Sequence, residues 1–293
     1  MSVYKRSYRA YTGSTTPLWK RVVVLARYAL AEAWASKITI GLCLAATVPF
    51  LVFLVQIYLA NNPLARQLVF KGNLRLFDID AVYFLRALEA QCWFALPLMS
   101  WVAPRLITYD LADNALPILL CHPVSRFAYV LGKFIALFSS LASITLLPCL
   151  LLFVYQCYFS PSGWTAANFS LAGGIFAGGL IWITLLCFIG LAFSSWVKWR
   201  TLATGVIFAA ILVPAGVGGI VSGVLRTKWG LLLNVPVMMT QLWQRLLGAP
   251  ETMRVGRDWS LPSTAIAVML MLACLVCAAM LNARIRAREV VRG

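Results

Sequence analysis

Six apolar runs, near 38–60, 82–107, 127–158, 168–197, 201–225 and 261–283, each reach the roughly 20 residues that a helix needs to cross a hydrocarbon core about 30 Å thick. A backbone inside lipid must satisfy its own hydrogen bonds. Runs of this length without barrel-like alternation therefore point to an all-α integral membrane protein with six transmembrane helices. Composition agrees: 62% of the 293 residues are hydrophobic and 12% charged, more apolar surface than one soluble core of this size requires. The third and fourth runs exceed the minimum, which predicts tilt or extension beyond the bilayer.

The 25 Lys and Arg against nine Asp and Glu give a net charge of +16. The cations sit at the ends of apolar runs and not in a stripe with interleaved aromatics, so membrane lipids are the expected anionic partner and nucleic acid is not. Lys5, Arg6, Arg9, Lys20, Arg21, Arg27 and Lys37 precede the first run, and Arg284, Arg286, Arg288 and Arg292 follow the last. Both termini are expected in the cytosol, together with the connections holding Arg105, Arg126, Lys198 and Arg200. Segments 61–80 and 226–260 then lie outside. Within the latter, LLLNVPVMMTQLWQRLL is apolar enough to suggest a seventh crossing, but Asn234, Pro236, Gln241, Gln244 and Arg245 would be costly in lipid. An outer helical hairpin near 231–247, before the sixth span, is expected instead.

Two units follow: 1–37, a cytosolic N-terminus with an amphipathic interfacial helix, and 38–293, a single six-helix domain. Between Pro17 and Ser36, Val22, Val23, Ala26, Ala29, Leu30, Ala33 and Trp34 share one helical face, and Lys20, Arg21, Arg27 and Glu32 lie opposite. Thr16 is the expected cap, Pro17 the first turn, and Trp19 and Trp34 the headgroup-level anchors. The competing reading is a signal peptide with its core at 22–30, which Arg27 interrupts. The cysteines, Cys274 and Cys277 included, fall largely within apolar runs and read as small buried hydrophobes.

The polar interruption from Ile107 to Lys133 holds turn formers Asp110, Asp113, Asn114, Pro117 and Pro123, which belong in water or inside protein. A short helix here would act as a lever rooted in two spans, with Leu116, Ile118, Leu119 and Leu120 as an apolar ridge and Arg126 at the root of span three. A solvated loop whose leucines rest on the bilayer is the alternative.

These features together resemble the permease subunit of an ABC type-2 exporter. The resemblance rests on LLCHPVSRFAYVLGK: Leu116, Leu119, Leu120, Pro123, Val124, Ser125, Arg126, Leu131, Gly132 and Lys133 stand where that family carries a leucine-rich helix, a Pro-Val-Ser-Arg-like turn and a Gly-Lys entering span three. Phe193 to Gly205 resembles its short turn between spans four and five. The family's acidic run is reduced to Asp110 and Asp113, with Asn114 and Pro117 at positions commonly glycine and acidic. The resemblance implies a cytosolic coupling helix between spans two and three whose contacts with an ATP-binding-cassette ATPase subunit include Asp110, Asp113, Leu116, Ile118, Leu119, Leu120, Pro123, Ser125 and Arg126. It also implies a second permease subunit, as a homodimer or heterodimer, ATP and Mg on the partner ATPase, and residence in a cell membrane, as in a bacterial inner membrane.

No GxxxxGK[ST] phosphate loop occurs in the chain, and Gly173, Gly174, Gly178 and Gly179 read as sites of close helix packing. No catalytic residue, metal ligand or resident cofactor is expected: His122 is the sole histidine, and Ser194 and Ser195 have no histidine base. The rival is an ion-gradient-driven transporter or a membrane scaffold without an ATPase, which would want charges in mid-span. Arg86 and Glu89, one turn apart in the outer part of span two, are the candidates, as a gate or as a local ion pair. Phe50, Phe53, Trp93, Phe94, Trp101 and Trp182 could line a path for a hydrophobic or amphipathic substrate, or simply pack.

Overall fold

A computed structural model describes residues 17–62, 79–112, 125–161, 163–250 and 259–284. It is all-helical, with no strand among the described residues. In chain order the elements are α1 (Leu18–Trp34), α2 (Lys37–Asn61), α3 (Ala81–Ala112), α4 (Arg126–Ile144), α5 (Leu146–Phe159), α6 (Trp164–Trp196) and α7 (Arg200–Leu225). A 3-10 turn (Lys228–Leu233), α8 (Val235–Leu247) and α9 (Ser263–Arg284) follow. Among the described residues, five segments are long and apolar enough to cross a membrane: α2, α4 with α5, α6, α7 and α9. The chain is a multi-pass membrane protein.

Six crossings were expected, and the shortfall lies in α3. It has the length, at 32 residues, but is not among the five, because Arg86, Glu89, Gln91, Arg105 and Asp110 lower its apolarity. Its surroundings explain why that is tolerated. Phe84, Leu88, Ala95, Leu98, Met99, Val102 and Leu106, at helical spacing, are buried against the rest of the protein. Gly190 lets α6 approach closely, since a Cβ there would meet Ala103 Cβ and Met99 Cγ, both at 3.0 Å. Helix α6 is the centre of the bundle: 67% of its most apolar stretch is buried in protein, against 11% for α2 and 17% for α7, whose side chains face outward as lipid-facing helices should.

The third run is one candidate span of 34 residues, longer than a crossing needs as expected, and it is interrupted at Thr145, whose φ of −111° and ψ of −64° depart from the helical mean. Pro148 is the cause, as it has no N–H for the Ile144 carbonyl. Buried Gln91 supplies a replacement: its amide, oriented by its acceptors, donates to Ile144 O at 2.9 Å and Ala46 O at 3.1 Å. One side chain thus ties α3 to both α2 and the α4–α5 break.

Helix α1 lays one face on the bundle. Val22, Ala26, Ala29 and Ala33 are buried, but they pack on α4 rather than facing lipid alone, and Val23 and Trp34 turn outward. The reason is Gly132, where a Cβ would lie 2.9 Å from Leu25 Cβ and 3.5 Å from the Ala26 nitrogen. Pro17 is the N-cap and not the first helical residue, and Thr16 lies outside the described residues. Trp19 remains 63% exposed, with Lys20 Nζ 5.5 Å from its ring, and Arg27 is exposed while Arg21 is half-buried.

Segment 228–247 forms the 3-10 turn and the short α8, neither of them as long as the roughly 20 residues that a crossing needs. Helix α8 has 13 residues, and its polar side chains find protein partners. Asn234 caps it by accepting from Val237 N at 3.1 Å and donates to Ala215 O at 3.3 Å. Gln241 accepts from Leu261 N at 3.0 Å, and Arg245 donates to Leu261 O. Gly248, at φ +65°, closes the helix in the left-handed conformation that glycine adopts without penalty.

Candidate functional site

Two places gather polar groups, at opposite ends of α3. The first is its C-terminal end. Asp110 Oδ2 accepts from Lys133 Nζ at 2.8 Å and from Tyr129 OH at 2.7 Å. Tyr129 and Lys133 lie four residues apart on α4, hence on one face, and the ammonium also sits 5.7 Å from the Tyr129 ring centre. The side chains of Lys133 and Asp110 are only 9% and 20% exposed. Such a pair gains most when further hydrogen bonds support it, and here Tyr129 OH donates a second bond to the carboxylate. The clamp locks the end of α3 to the root of α4, directly flanking 113–124.

That intervening segment holds most of the expected coupling helix. Asp113, Leu116, Ile118, Leu119, Leu120 and Pro123 lie outside the described residues, as does His122. Of the expected partner contacts, Asp110 is drawn into the intramolecular clamp. Ser125 is the N-cap of α4, its Oγ accepting from Ala128 N at 3.1 Å. Arg126 is exposed at the first position of α4. A cation there opposes the helix dipole, so it is not present for helix stability.

Beside the clamp lies a second basic group. The Arg200 and Arg105 guanidinium carbons sit 4.2 and 5.9 Å from the Trp101 ring centre. Arg200 Nη1 donates to Tyr109 OH at 3.0 Å, and Trp101 Nε1 donates to Ser36 Oγ at 3.3 Å. Thr108 donates to Ser194 O, and Arg284 to Ser195 O. These contacts tie the ends of α3, α6 and α9 to the starts of α2 and α7. Ser194 and Ser195 spend their own hydroxyls on the Gly190 and Ala192 carbonyls.

The second place is the other end of α3, where a cavity of about 640 Å³ opens between α3, α6 and α8. Arg86 and Glu89 both line it, with Leu85, Trp93, Leu96, Trp182, Met239 and Trp243 among its apolar walls. No ion pair closes between Arg86 and Glu89; the pair seen among the described residues is Lys133 with Asp110. Arg86 is exposed and Glu89 half-buried. The walls are held closely. Gly174 and Gly178 leave no room for a Cβ, which would meet Leu246 O and Trp243 Cδ1, each at 2.6 Å. Trp243 Nε1 donates to Gly178 O at 3.1 Å, and its ring meets Trp182 edge-on at 5.9 Å. Gly179 serves the same end toward Leu146, whereas Gly173 has open space.

No protein-family model matches this chain, and no curated protein matches it.

Of the aromatic residues expected to line a path, Trp93 and Trp182 do line this cavity. Phe53 packs edge-on against Tyr83, and Trp101 belongs to the basic cluster at the opposite end. Trp243 and Gln244 are wall residues that were not expected to line a path, Gln244 having been expected only to be costly in lipid. Their signal was the amphipathic spacing of 235–247, which shows that one face is covered but not by what. The seven described cysteines are free.

Proposed function

We propose that this chain is the transmembrane permease subunit of an ATP-binding-cassette exporter, moving a hydrophobic or amphipathic substrate outward with energy from ATP hydrolysed on a separate subunit. In this reading α3 is a sixth crossing, shielded from lipid by its neighbours. Both termini and the Asp110 end are cytosolic, and the chain sits in a cell membrane such as a bacterial inner membrane beside a second permease copy or paralogue.

The observation that carries the reading is the continuity of α3. It runs from the cavity residues Arg86 and Glu89 to Asp110, about 36 Å away at 1.5 Å per residue, and there it is locked to α4 beside the expected docking segment. A push on 113–124 would reach both helices at once through the clamp and be delivered to the cavity through one rod. Pro97 and Pro104 lie between the two ends and are where such a rod bends most easily. Arg126, exposed and unfavourable to its own helix dipole, is free to meet an acidic surface of the ATPase.

The test is recovery of an ATP-binding-cassette ATPase with the purified full chain. Leu119→Glu together with Leu120→Glu should abolish that recovery while membrane insertion is unchanged. Equal recovery with the substituted chain would remove the lever from the account. The rival, an ion-gradient-driven transporter or an ATPase-free scaffold, draws on Arg86 and Glu89 in α3, and predicts no ATPase in either preparation.

A further inference from the structure

We propose that the cavity between α3, α6 and α8 binds a zwitterionic amphiphile, its headgroup held by Arg86 and Glu89 and its apolar part laid on Trp93, Trp182 and Trp243. This names the substrate class of the export reading and rests on that reading for what happens to the ligand afterwards, not for whether it binds.

Three observations converge. Arg86 and Glu89 are three residues apart on one helix, a spacing at which opposite charges commonly pair, yet both line the cavity without closing an ion pair. Together they are locally neutral. An anion would be attracted by one and repelled by the other, and a cation likewise. A headgroup carrying both signs gains from both. The surrounding wall is chiefly apolar and aromatic, which suits a hydrocarbon or ring portion.

The third observation is a donor without an acceptor. Trp182 is 2% exposed and lines the cavity, and its Nε1 is buried with no hydrogen-bond partner. The neighbouring Trp243 N–H is already taken by Gly178 O. A buried unsatisfied N–H is costly; this one has almost no accessible surface, so a ligand oxygen at this wall would meet it only with a small shift of the indole. The volume of about 640 Å³ equals the liquid share of about twenty waters, at roughly 30 Å³ each. That is enough for a headgroup and the first part of a chain. Arg86 and Trp93 are exposed, the latter at 60%, so a longer tail can leave through the open side.

The experiment uses the full chain purified in a maltoside detergent, which is itself the uncharged-headgroup comparison. The probes are lysophosphatidylcholine, lysophosphatidylglycerol and an alkyl trimethylammonium salt of equal chain length, each brominated in the chain and read by quenching of tryptophan fluorescence. The native protein should bind the zwitterion about tenfold more tightly than either single-charge probe. Glu89→Gln should shift the preference to the anionic probe and Arg86→Gln to the cationic one. The double variant should bind all three alike, still quenched, which shows that the cavity has survived. Equal affinities in the native protein, or an order left unchanged by both single substitutions, would overturn the proposal. No ATP or ATPase enters the assay, so failure of export with these preferences intact would refute the export reading alone.

Discussion

Replacing Lys133 with methionine keeps most of the length of the side chain and removes its charge, leaving Asp110 without its cationic partner. Taking one partner from a fully buried ion pair costs about 3–5 kcal/mol. The figure here is lower, because the Asp110 side chain is 20% exposed and Tyr129 OH still donates to it at 2.7 Å. About 2 kcal/mol is expected. Asp110→Asn alone strands the more deeply buried ammonium and should cost about as much. The double variant carries neither charge, and its asparagine oxygen can still accept from Tyr129, so it should lose only about 1 kcal/mol. The double-mutant cycle should therefore return a coupling of about 2–3 kcal/mol. Unfolding free energies in mixed micelles, followed by tryptophan fluorescence, measure it. A double variant whose loss equals the sum of the two single losses would show that the pair is not coupled, and the clamp would cease to be a link between α3 and α4.

Two further outcomes follow from packing. Gly178→Leu should cost about 2–5 kcal/mol, from overpacking against the Trp243 ring and loss of its indole hydrogen bond. Gly173→Ala on the same helix meets nothing within 4 Å and should be neutral or stabilising by up to about 1 kcal/mol. Equal effects in a thermal melt would refute the close α6–α8 contact. Gln91→Leu should cost about 1–3 kcal/mol by leaving the Ile144 carbonyl without a donor above Pro148. Restoring that donor with Pro148→Ala should recover part of the loss, and no recovery would refute the repair role.

The spans were legible because lipid imposes a length and an apolarity that show in the chain itself; α2, α6, α7 and α9 begin and end within a few residues of the expected runs. Gly174, Gly178 and Gly179 were likewise readable as packing sites, since a run of small residues in a membrane helix has few other uses. Relations between helices were less legible. The apolar face of α1 is evident from its periodicity, but periodicity says only that the face is covered; that α4 covers much of it depends on Gly132, more than a hundred residues away. Asp110 stands out as a charge at a helix end, yet its partners Tyr129 and Lys133 lie beyond the 113–124 segment. Arg86 and Glu89 have the spacing of a pair, and the tertiary placement of α8 instead gives them a cavity to share. The break at Thr145 was readable in principle from Pro148, but the apolar run continues through it and masks the interruption.

ATP-dependent uptake into inside-out membrane vesicles tests the central claim most directly. Vesicles carrying this chain and its co-purified ATPase should accumulate the brominated zwitterion only with ATP and Mg, with no effect of a protonophore, and accumulation should vanish when Leu119→Glu and Leu120→Glu are introduced together. Accumulation that follows an imposed proton gradient without ATP, or that survives those two substitutions, would contradict it.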